Sequence, residues 1–520
     1  MIIENFNRLT VAESQGQARA FAEGCLIAVL IASALLLLLN TFAPNRPVDY
    51  RSDRDHFSYG SIGSDVSGGL PLKVVQVLPA MFPEYLPKGE GPADYTRFGF
   101  IQEPGARMPI GFSIRRQIID LTAINCAACH TGSVRETSQT TPIIIPAMPA
   151  NTVDLLAFFK FLFDCAADNR FNADNILAAM DRAGLREPLD GLIYRVAVPR
   201  MKEGLVARAK KLAVFFAPGY PKFGKGRVNT FDSFKYDQFA YYYKEHNQPI
   251  SPEEIYGTVD FPSIWNQSPR EGLRLHWDGN NTSLRERNFS AAIGAGATPP
   301  TMDVDRLFRI EAWLRALPPP AYPFSINEEL AKQGTDVYAR MCFGCHDFKG
   351  GQIGQVIPLE QIKTDRHRVD SYTQFLLEAQ KDYTKGYFWA FTHFTKTDGY
   401  ATQPLDGIWA RAPYLHNGSV PTIWDLLTPA EQRPQVFTRG SDVYDQQNMG
   451  FVHEVLQGSA EAGYSRLDGT PYTGVEFVYD TRLVGNGGQG HSGPVYGTEL
   501  SDGEKRALIE YFKWQDRPRR

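Results

Sequence analysis

Residues 126–130 read Cys-Ala-Ala-Cys-His, and residues 342–346 read Cys-Phe-Gly-Cys-His. In this pattern two thiols on one helical turn can bond a single porphyrin, and the adjacent histidine reaches its iron. A chain of this length with six Cys and ten His would contain roughly 0.001 such matches by chance. The two motifs therefore predict two covalently bound c-type haems, which we call haem 1 and haem 2 in chain order.

The proximal iron ligands follow directly from the pattern, because the histidine after the second cysteine projects toward the iron. Paired cysteines have two other common uses in proteins. A zinc site would need both pairs folded together as four ligands, and a thioredoxin-like redox pair needs no following histidine. The residues predicted to hold the haems are Cys126, Cys129, His130, Cys342, Cys345 and His346.

Composition excludes several classes of protein. The 520 residues carry 54 Lys and Arg against 58 Asp and Glu, so the net charge of −4 argues against a nucleic-acid partner. Hydrophobic residues at 43% and charged residues at 22% are close to globular averages. Six cysteines in a chain of this length exclude a disulfide scaffold. Cys165, which lies in an apolar helical pattern, is expected to be a buried structural thiol.

The N-terminal region contains an uncharged run from Gly24 to Leu39. With its weakly polar flanks the run is long enough to cross a bilayer of about 30 Å. The sequence thus predicts a cytoplasmic segment over residues 1–20, a transmembrane anchor over residues 21–43 and a periplasmic remainder at the inner membrane. A cleaved signal peptide, which would leave the chain periplasmic or secreted, is the alternative.

Helical patterns divide the remaining chain into two parts. A helix predicted over 303–317 stops at Pro318-Pro319-Pro320, which places a boundary there. We expect an N-terminal haem domain over 44–320, with a large insertion at 142–260, and a C-terminal haem domain over 321–520. The predicted fold class is mainly α: two cytochrome c-type domains with extensive loops.

Two capping boxes mark helices of the C-terminal part. Ser325-x-x-Glu328 precedes an amphipathic run that leads into the second motif, and Ser501-x-x-Glu504 precedes another near the chain end. A small cytochrome domain uses two such helices to bury its porphyrin.

Two further segments resemble those of the bacterial di-haem cytochrome c peroxidases. Residues 275–280 read Leu-His-Trp-Asp-Gly-Asn, and residues 412–419 read Ala-Pro-Tyr-Leu-His-Asn-Gly-Ser. In that superfamily the tryptophan stands between the haems as an electron relay. The resemblance implies the same role for Trp277.

The longer run over residues 277–288 and the segment Gly-Asn-Gly-Gly-Gln-Gly-His at 485–491 look more like the rubber-oxygenase-like branch, whose di-haem members cleave polyisoprene with O₂. The resemblance implies that His491 is the second axial ligand of haem 2. In that branch an aromatic residue shapes the distal pocket of the N-terminal haem, and Phe289 and Ile293 both fall in the corresponding region here.

At two positions the sequence departs from the peroxidase pattern. These differences argue against peroxidase activity and against a methionine ligand of haem 2. Ala297 falls where the peroxidases carry an acidic residue, and alanine cannot act as a general acid or base. Ala430 falls where they carry a methionine ligand, which leaves His491 as the main candidate and Met449 and His453 as rivals. His416 is expected to hydrogen-bond near haem 2 rather than to bind iron.

Two more residues belong to the resembling segments. Arg287 stands where the peroxidases carry Gln, and a charge there is expected to tune a haem propionate or a distal oxygen ligand. His276 is interpreted as a surface histidine or a hydrogen-bonded core histidine, and the alternative is that it faces the space between the haems.

Together these patterns predict a periplasm-facing di-haem redox protein that passes electrons between its haems. The finer hypothesis is a rubber-oxygenase-like oxidoreductase that binds O₂ or peroxide at haem 1 and acts on an unsaturated hydrocarbon. The alternatives are a membrane-tethered electron carrier without catalysis and a di-haem peroxidase. An electron donor or acceptor protein is the expected partner.

Overall fold

Helices and short strands alternate along the chain in this computed structural model, which describes residues 24–27, 29–30, 33, 45–89 and 91–517. From residue 45 onward the α-helices are α1 Asp53–Tyr59, α2 Ser64–Ser67, α3 Leu72–Met81, α4 Leu155–Ala167, α5 Ala173–Arg182, α6 Asp190–Lys211, α7 Thr230–Ser233, α8 Ala240–Glu245, α9 Leu284–Gly294, α10 Val304–Ala316, α11 Glu328–Met341, α12 Phe343–His346, α13 Leu359–Ile362, α14 His367–Ser371, α15 Gln374–Tyr383, α16 Ile423–Leu426 and α17 Asp502–Trp514.

The strands are short and scattered. They are β1 Arg46–Pro47, β2 Leu70–Pro71, β3 Phe112–Arg116, β4 Leu121–Ile124, β5 Thr131–Val134, β6 Ile143–Pro146, β7 Arg227–Val228, β8 Val259–Asp260, β9 Val356–Pro358, β10 Gly399–Ala401, β11 Val436–Arg439, β12 Tyr444–Asp445, β13 Gly450–Phe451, β14 Leu456–Ser459, β15 Gly463–Arg466 and β16 Phe477–Asp480.

The prediction of a mainly α fold is wrong. The structure is 42% helical and 13% strand, so its content is mixed. The strands are two to five residues long, and two to five residues are too few to display the alternation of apolar and polar side chains that reveals a strand in a sequence. The sequence shows the spacing of apolar residues that is typical of helices, but it does not show the alternation that is typical of strands.

A four-stranded antiparallel sheet, in the order β1-β3-β4-β2, leads into the first motif. Phe112 on β3 lies opposite Ile124, the last residue of β4. Cys126 follows β4 after a single residue, and β5 begins directly after His130. The first motif is therefore held between two strands rather than at the end of a long helix.

A pair of packed helices lies beside each motif. In the C-terminal half α11 packs on α17, with the ring centroids of Tyr338 and Tyr511 4.7 Å apart. The backbones approach so closely at Gly334 that an added Cβ would lie 2.1 Å from the carbonyl oxygen of Ala507. In the N-terminal half α1 packs on α10, with the rings of Phe57 and Trp313 5.1 Å apart. The C-terminal half thus contains the pair of helices that the capping boxes predicted, and the N-terminal half contains a second pair, of which only the helix over 303–317 was predicted.

Two hydrophobic cores are present among the described residues. One extends from Phe57 to Phe512 and joins both halves of the chain. The other lies within residues 72–261 and includes much of the predicted insertion at 142–260. Cys165 is fully buried in this second core, as the apolar pattern around it predicts. The boundary at residue 320 remains a prediction.

The predicted membrane anchor is contradicted. Most of residues 21–43, and all of residues 1–20, lie outside the described part of the chain. Within the described part, no helix has both the length and the apolar content that crossing a bilayer requires. The single-pass inner-membrane assignment is corrected accordingly.

Replacing Gly334 by Ala should separate α11 from α17, because the new methyl group would overlap a main-chain oxygen. We expect a loss of about 1–3 kcal/mol in the free energy of unfolding, which is typical of overpacking, measured by urea denaturation followed by circular dichroism. Gly503→Ala is the matched control, since an added Cβ there meets nothing within 4 Å and Ala favours a helix. Equal stability of the two variants would contradict the close packing.

Candidate functional site

The first motif forms a tight turn. Residues Cys126–Ala128 adopt a 3₁₀ helix whose N-cap is Asn125, with the Asn125 side-chain oxygen accepting from the Ala127 amide at 2.9 Å. Gly111 has a φ of 97°, and an added Cβ there would lie 2.4–2.5 Å from the backbone of Ala128. Only glycine allows this approach without strain. The turn that carries both thiols is therefore anchored to β3 and its preceding loop.

The imidazole of His130 is oriented by a main-chain carbonyl. Its Nδ1 donates to the carbonyl oxygen of Pro262 at 2.8 Å, so Nε2 is the unprotonated nitrogen that can bind a metal. Burial, together with the nearby Arg287 charge, lowers the pKa of His130 to about 4. The ring is neutral at pH 7, which is the state an iron ligand requires.

The second motif repeats this arrangement on a helix. Cys342 directly follows α11 as its C-cap, and α12 carries the remaining residues of the motif. Nδ1 of His346 donates to the carbonyl oxygen of Gln403 at 2.7 Å, and burial lowers the pKa of His346. In both motifs the sequence places the histidine, and a distant loop sets its tautomer.

The cysteines of both motifs are free thiols. No group of three or more His, Cys, Asp or Glu side chains among the described residues is arranged to hold a metal ion. A zinc site would require such a group, so the geometry does not favour the zinc alternative.

A cavity of about 590 Å³ opens beside the second motif, and its size is within the range of about 300–1,000 Å³ typical of cofactor sites. Most of its wall is apolar and aromatic. The predicted site residues that line it are Trp277, Cys342, Cys345, His346, His416 and His491.

His491 faces His346 across this cavity, with ring centroids 6.3 Å apart and ring planes at 48°. Two imidazoles that bind one iron from opposite sides would have centroids about 6 Å apart, since each metal–nitrogen bond is about 2 Å and each nitrogen lies about 1.1 Å from its ring centre. Nδ1 of His491 is buried and has no hydrogen-bond partner among the described residues. The pair fits a c-type haem with two histidine ligands.

The backbone of His491 is unusual. Its φ of 45° lies in the left-handed region, which a non-glycine residue occupies only when its surroundings enforce it. Its amide donates to the carbonyl oxygen of Ile362 at 3.1 Å. Burial lowers the pKa of His491 to about 3, with smaller contributions from His346 and Arg433.

Arg433 holds the loop that carries His491, a role that the sequence did not predict. Its side chain, 5% exposed, donates to the carbonyl oxygens of Gly488, Gly490 and His491 at 2.8–2.9 Å. It also donates to the carbonyl oxygens of Asp425, Leu426 and Thr428 around the end of α16. One guanidinium thus ties the loop that carries His491 to a helix of the cavity wall. An arginine in a loop carries no motif, so nothing in the sequence marked it.

The two rivals of His491 as a ligand of haem 2 lie outside the cavity. Met449 and His453 do not line the cavity; Met449 is fully buried, and Nδ1 of His453 is 3.1 Å from the carbonyl oxygen of Phe451.

His416, by contrast, lines the cavity. Its Nε2 lies 3.1 Å from the hydroxyl of Tyr400, so the ring is held by a side-chain hydrogen bond, and burial lowers its pKa to about 3.

One extended segment connects the two motifs. The indole N–H of Trp277 donates to the carbonyl oxygen of Asp260 at 3.0 Å, two residues before the Pro262 carbonyl that holds His130. The amide of Asp260 donates to the carbonyl oxygen of His416 at 2.9 Å. Trp277 is therefore fixed to the same few residues that orient the first histidine, and it lines the cavity of the second.

The candidates for the distal side of haem 1 are both on α9, and both are fully buried, at 0% and 1% exposure for Phe289 and Ile293. The Phe289 ring packs on Trp389, with centroids 5.1 Å apart. Neither side chain lines the 590 Å³ cavity.

His276 lines the 590 Å³ cavity, and its Nδ1 is 2.6 Å from the side-chain oxygen of Asn280.

Comparison with known proteins agrees with this geometry. Residues 399–438 match the family described as "RoxA-like, cytochrome c-like", and this stretch includes Gln403, His416 and Arg433. A cytochrome c-like segment implies a covalently bound c-type haem and suggests a haem redox protein.

Two relatives come from Sinorhizobium fredii. The uncharacterized protein y4iJ is 27% identical over 81% of this chain and 84% of its own length. The uncharacterized protein y4iM is 31% identical over 52% of this chain and 67% of its own length. The chain therefore belongs to the same family as y4iM, and its residues 399–438 relate it to RoxA-like cytochromes.

Proposed function

We propose that this protein is a di-haem c-type cytochrome whose two irons have different surroundings, and that it catalyses oxidation at haem 1. The observation that carries the proposal is the contrast between the two histidines. His346 faces His491 at 6.3 Å. The aromatic neighbour of His130 is Phe261, at 6.4 Å between ring centroids, and no described histidine is paired with His130 in the same way.

The contrast assigns different roles to the sites. Two imidazoles saturate an iron and favour electron transfer, whereas an iron with an open axial position supplies binding of O₂ or peroxide. Trp277 is the proposed relay between them, because its indole is fixed beside both the Asp260–Pro262 segment and the cavity of the second motif. Phe289 and Ile293 remain the proposed residues of the distal side of haem 1.

The substrate class follows from the resemblance to rubber oxygenases and from the apolar surroundings of α9. A second cavity, of about 780 Å³, adjoins the C-terminal end of that helix at Gly294–Gly296 and is lined by Phe158, Phe159 and Leu162, among others. Arg200, Arg208, Lys211 and Asp237 also line this cavity, so only the apolar part of its wall suits an unsaturated isoprenoid-like hydrocarbon. Cleavage of one C=C bond consumes one O₂ and places one oxygen atom on each of the two carbonyl products.

A non-catalytic electron carrier is the second candidate, and it has an observation in its favour. Phe343, inside the second motif, is 37% exposed, and Val495, on the cavity wall, is 72% exposed. An exposed apolar rim beside a haem suits contact with a donor or acceptor protein.

Haem content tests the proposal. A pyridine haemochrome assay of the purified protein should give about two haems per chain, and Cys126→Ser/Cys129→Ser or Cys342→Ser/Cys345→Ser should each leave one. After reduction, carbon monoxide should bind the variant that keeps the first motif and not the variant that keeps the second, because His491 fills the remaining position. Cys165→Ala is the control and should keep both haems. Carbon monoxide bound equally by both variants would contradict unequal sites.

Product analysis separates the two functions. Incubation of the di-haem protein with an unsaturated isoprenoid, such as polyisoprene, under ¹⁸O₂ should give carbonyl products labelled at both ends. Absence of carbonyl products from protein that contains both haems would reject the oxygenase and leave the electron carrier. Peroxide-dependent oxidation of a reduced cytochrome would instead indicate a peroxidase, despite Ala297.

Replacing Arg433 should displace His491 without removing either haem. In Arg433→Gln the loop loses donors to three carbonyl oxygens, so we expect the fraction of haem 2 that binds carbon monoxide to rise from near zero to more than about half. Added imidazole should restore the low-spin spectrum, which a general loss of folding would not allow. Arg433→Lys should retain part of the effect, and Arg482→Gln, an exposed change near the same loop, should have none. A fully low-spin Arg433→Gln protein would show that the hydrogen bonds of Arg433 are not needed to hold His491 in place.

A further inference from the structure

Three arginines line the 590 Å³ cavity: Arg270 and Arg287, which are buried, and Arg411, which is partly buried. No Asp, Glu or Lys side chain contributes to the described wall. The cavity is therefore apolar with a concentration of positive charge, although the whole chain has a net charge of −4.

Two of these arginines have a counter-ion within the protein. Arg411 donates to a carboxylate oxygen of Asp406 at 2.8 Å, and Arg270 donates to the same oxygen. Asp406 does not line the cavity, and it shares its negative charge between two guanidinium groups. A second acid, Asp516, also interacts electrostatically with both arginines, and burial raises its pKa to about 7. Arg270 and Arg411 are therefore compensated within the protein.

Arg287 has no counter-ion. Its side chain is 8% exposed, and its guanidinium makes no hydrogen bond or ion pair with any residue that the structure describes. The only charged neighbour that affects it is Arg270, and that repulsion together with burial lowers the pKa of Arg287 to about 10. The group is therefore still charged at neutral pH.

An unpaired buried charge is costly, at several kcal/mol in a protein interior. A negative partner would offset this cost, and the described polypeptide provides none. The cavity that Arg287 lines is where such a partner would bind. Because the guanidinium presents paired N–H groups that match the two oxygens of a carboxylate, a carboxylate on an otherwise apolar molecule fits both the charge and the walls.

We propose that Arg287 binds a carboxylate group of a ligand in this cavity. Two sources share that chemistry: a propionate of a haem, which rests on the proposed function, and the carboxylate of a soluble apolar acid such as a fatty acid.

The test compares Arg287→Gln and Arg287→Lys with Arg285→Gln. Arg285 is on the same helix, but its side chain is 53% exposed and 3.8 Å from Glu311, so its loss should leave the cavity unchanged. The readouts are the midpoint potential of each haem, the propionate bands in the resonance Raman spectrum, and titration of the purified protein with decanoate, followed by calorimetry.

If the source is a haem propionate, Arg287→Gln should shift those Raman bands and lower the midpoint potential of one haem, since a nearby cation favours the reduced iron. Arg287→Lys should retain part of the potential, and Arg285→Gln should match the wild type. If the source is a soluble acid, decanoate should bind the wild-type protein and bind Arg287→Gln at least tenfold more weakly. Either result supports the proposal.

Unchanged potentials, unchanged propionate bands and equal decanoate titrations in Arg287→Gln would overturn it. A variant that alters only the spectrum of the carbon monoxide adduct would also overturn it, because the guanidinium would then serve an iron-bound ligand. Failure of the proposed function is distinguishable: protein without a Soret band would refute the di-haem assignment, whereas decanoate binding that depends on Arg287 would still support a carboxylate site.

Discussion

Main-chain carbonyl groups determine how the histidines of this protein are presented. The carbonyl of Pro262 holds Nδ1 of His130 at 2.8 Å, and that of Gln403 holds Nδ1 of His346 at 2.7 Å. A histidine offers an iron its Nε2 only when Nδ1 carries the proton, so these two hydrogen bonds select the tautomer as well as the direction of each ring. The loops that contain Pro262 and Gln403 place those carbonyl groups beside the histidines.

Arginine complements this use of the backbone. Arg433 donates to carbonyl groups, including that of His491, whose φ lies in the left-handed region. Arg287 lines the cavity and makes no hydrogen bond or ion pair with any residue that the structure describes. The same side-chain type thus holds a loop in one case and presents an unpaired charge to the cavity in the other. A planar donor that stays charged when buried suits both tasks.

The helices were easier to predict than the strands. The capping box at Ser501 and Glu504 is present as expected, because its two hydrogen bonds are confined to one turn. The box expected at Ser325 is not used: Asn327 caps α11 instead, accepting from the Leu330 amide at 3.1 Å. Competing caps two residues apart differ little in energy, so packing decides between them. The strands escaped prediction because each pairs over only a few residues with a segment that local sequence does not specify.

For the site, local spacing alone determined the two Cys-x-x-Cys-His motifs, since one helical turn sets the separation of the thiols and the histidine. The sequence by itself therefore determined which residues can bond porphyrin. Tertiary structure decided what surrounds them: the carbonyl acceptors lie 132 and 57 residues from their histidines, and Arg433 lies 58 residues from His491. Contacts over such separations depend on how loops cross in space, and no periodicity in the chain encodes them.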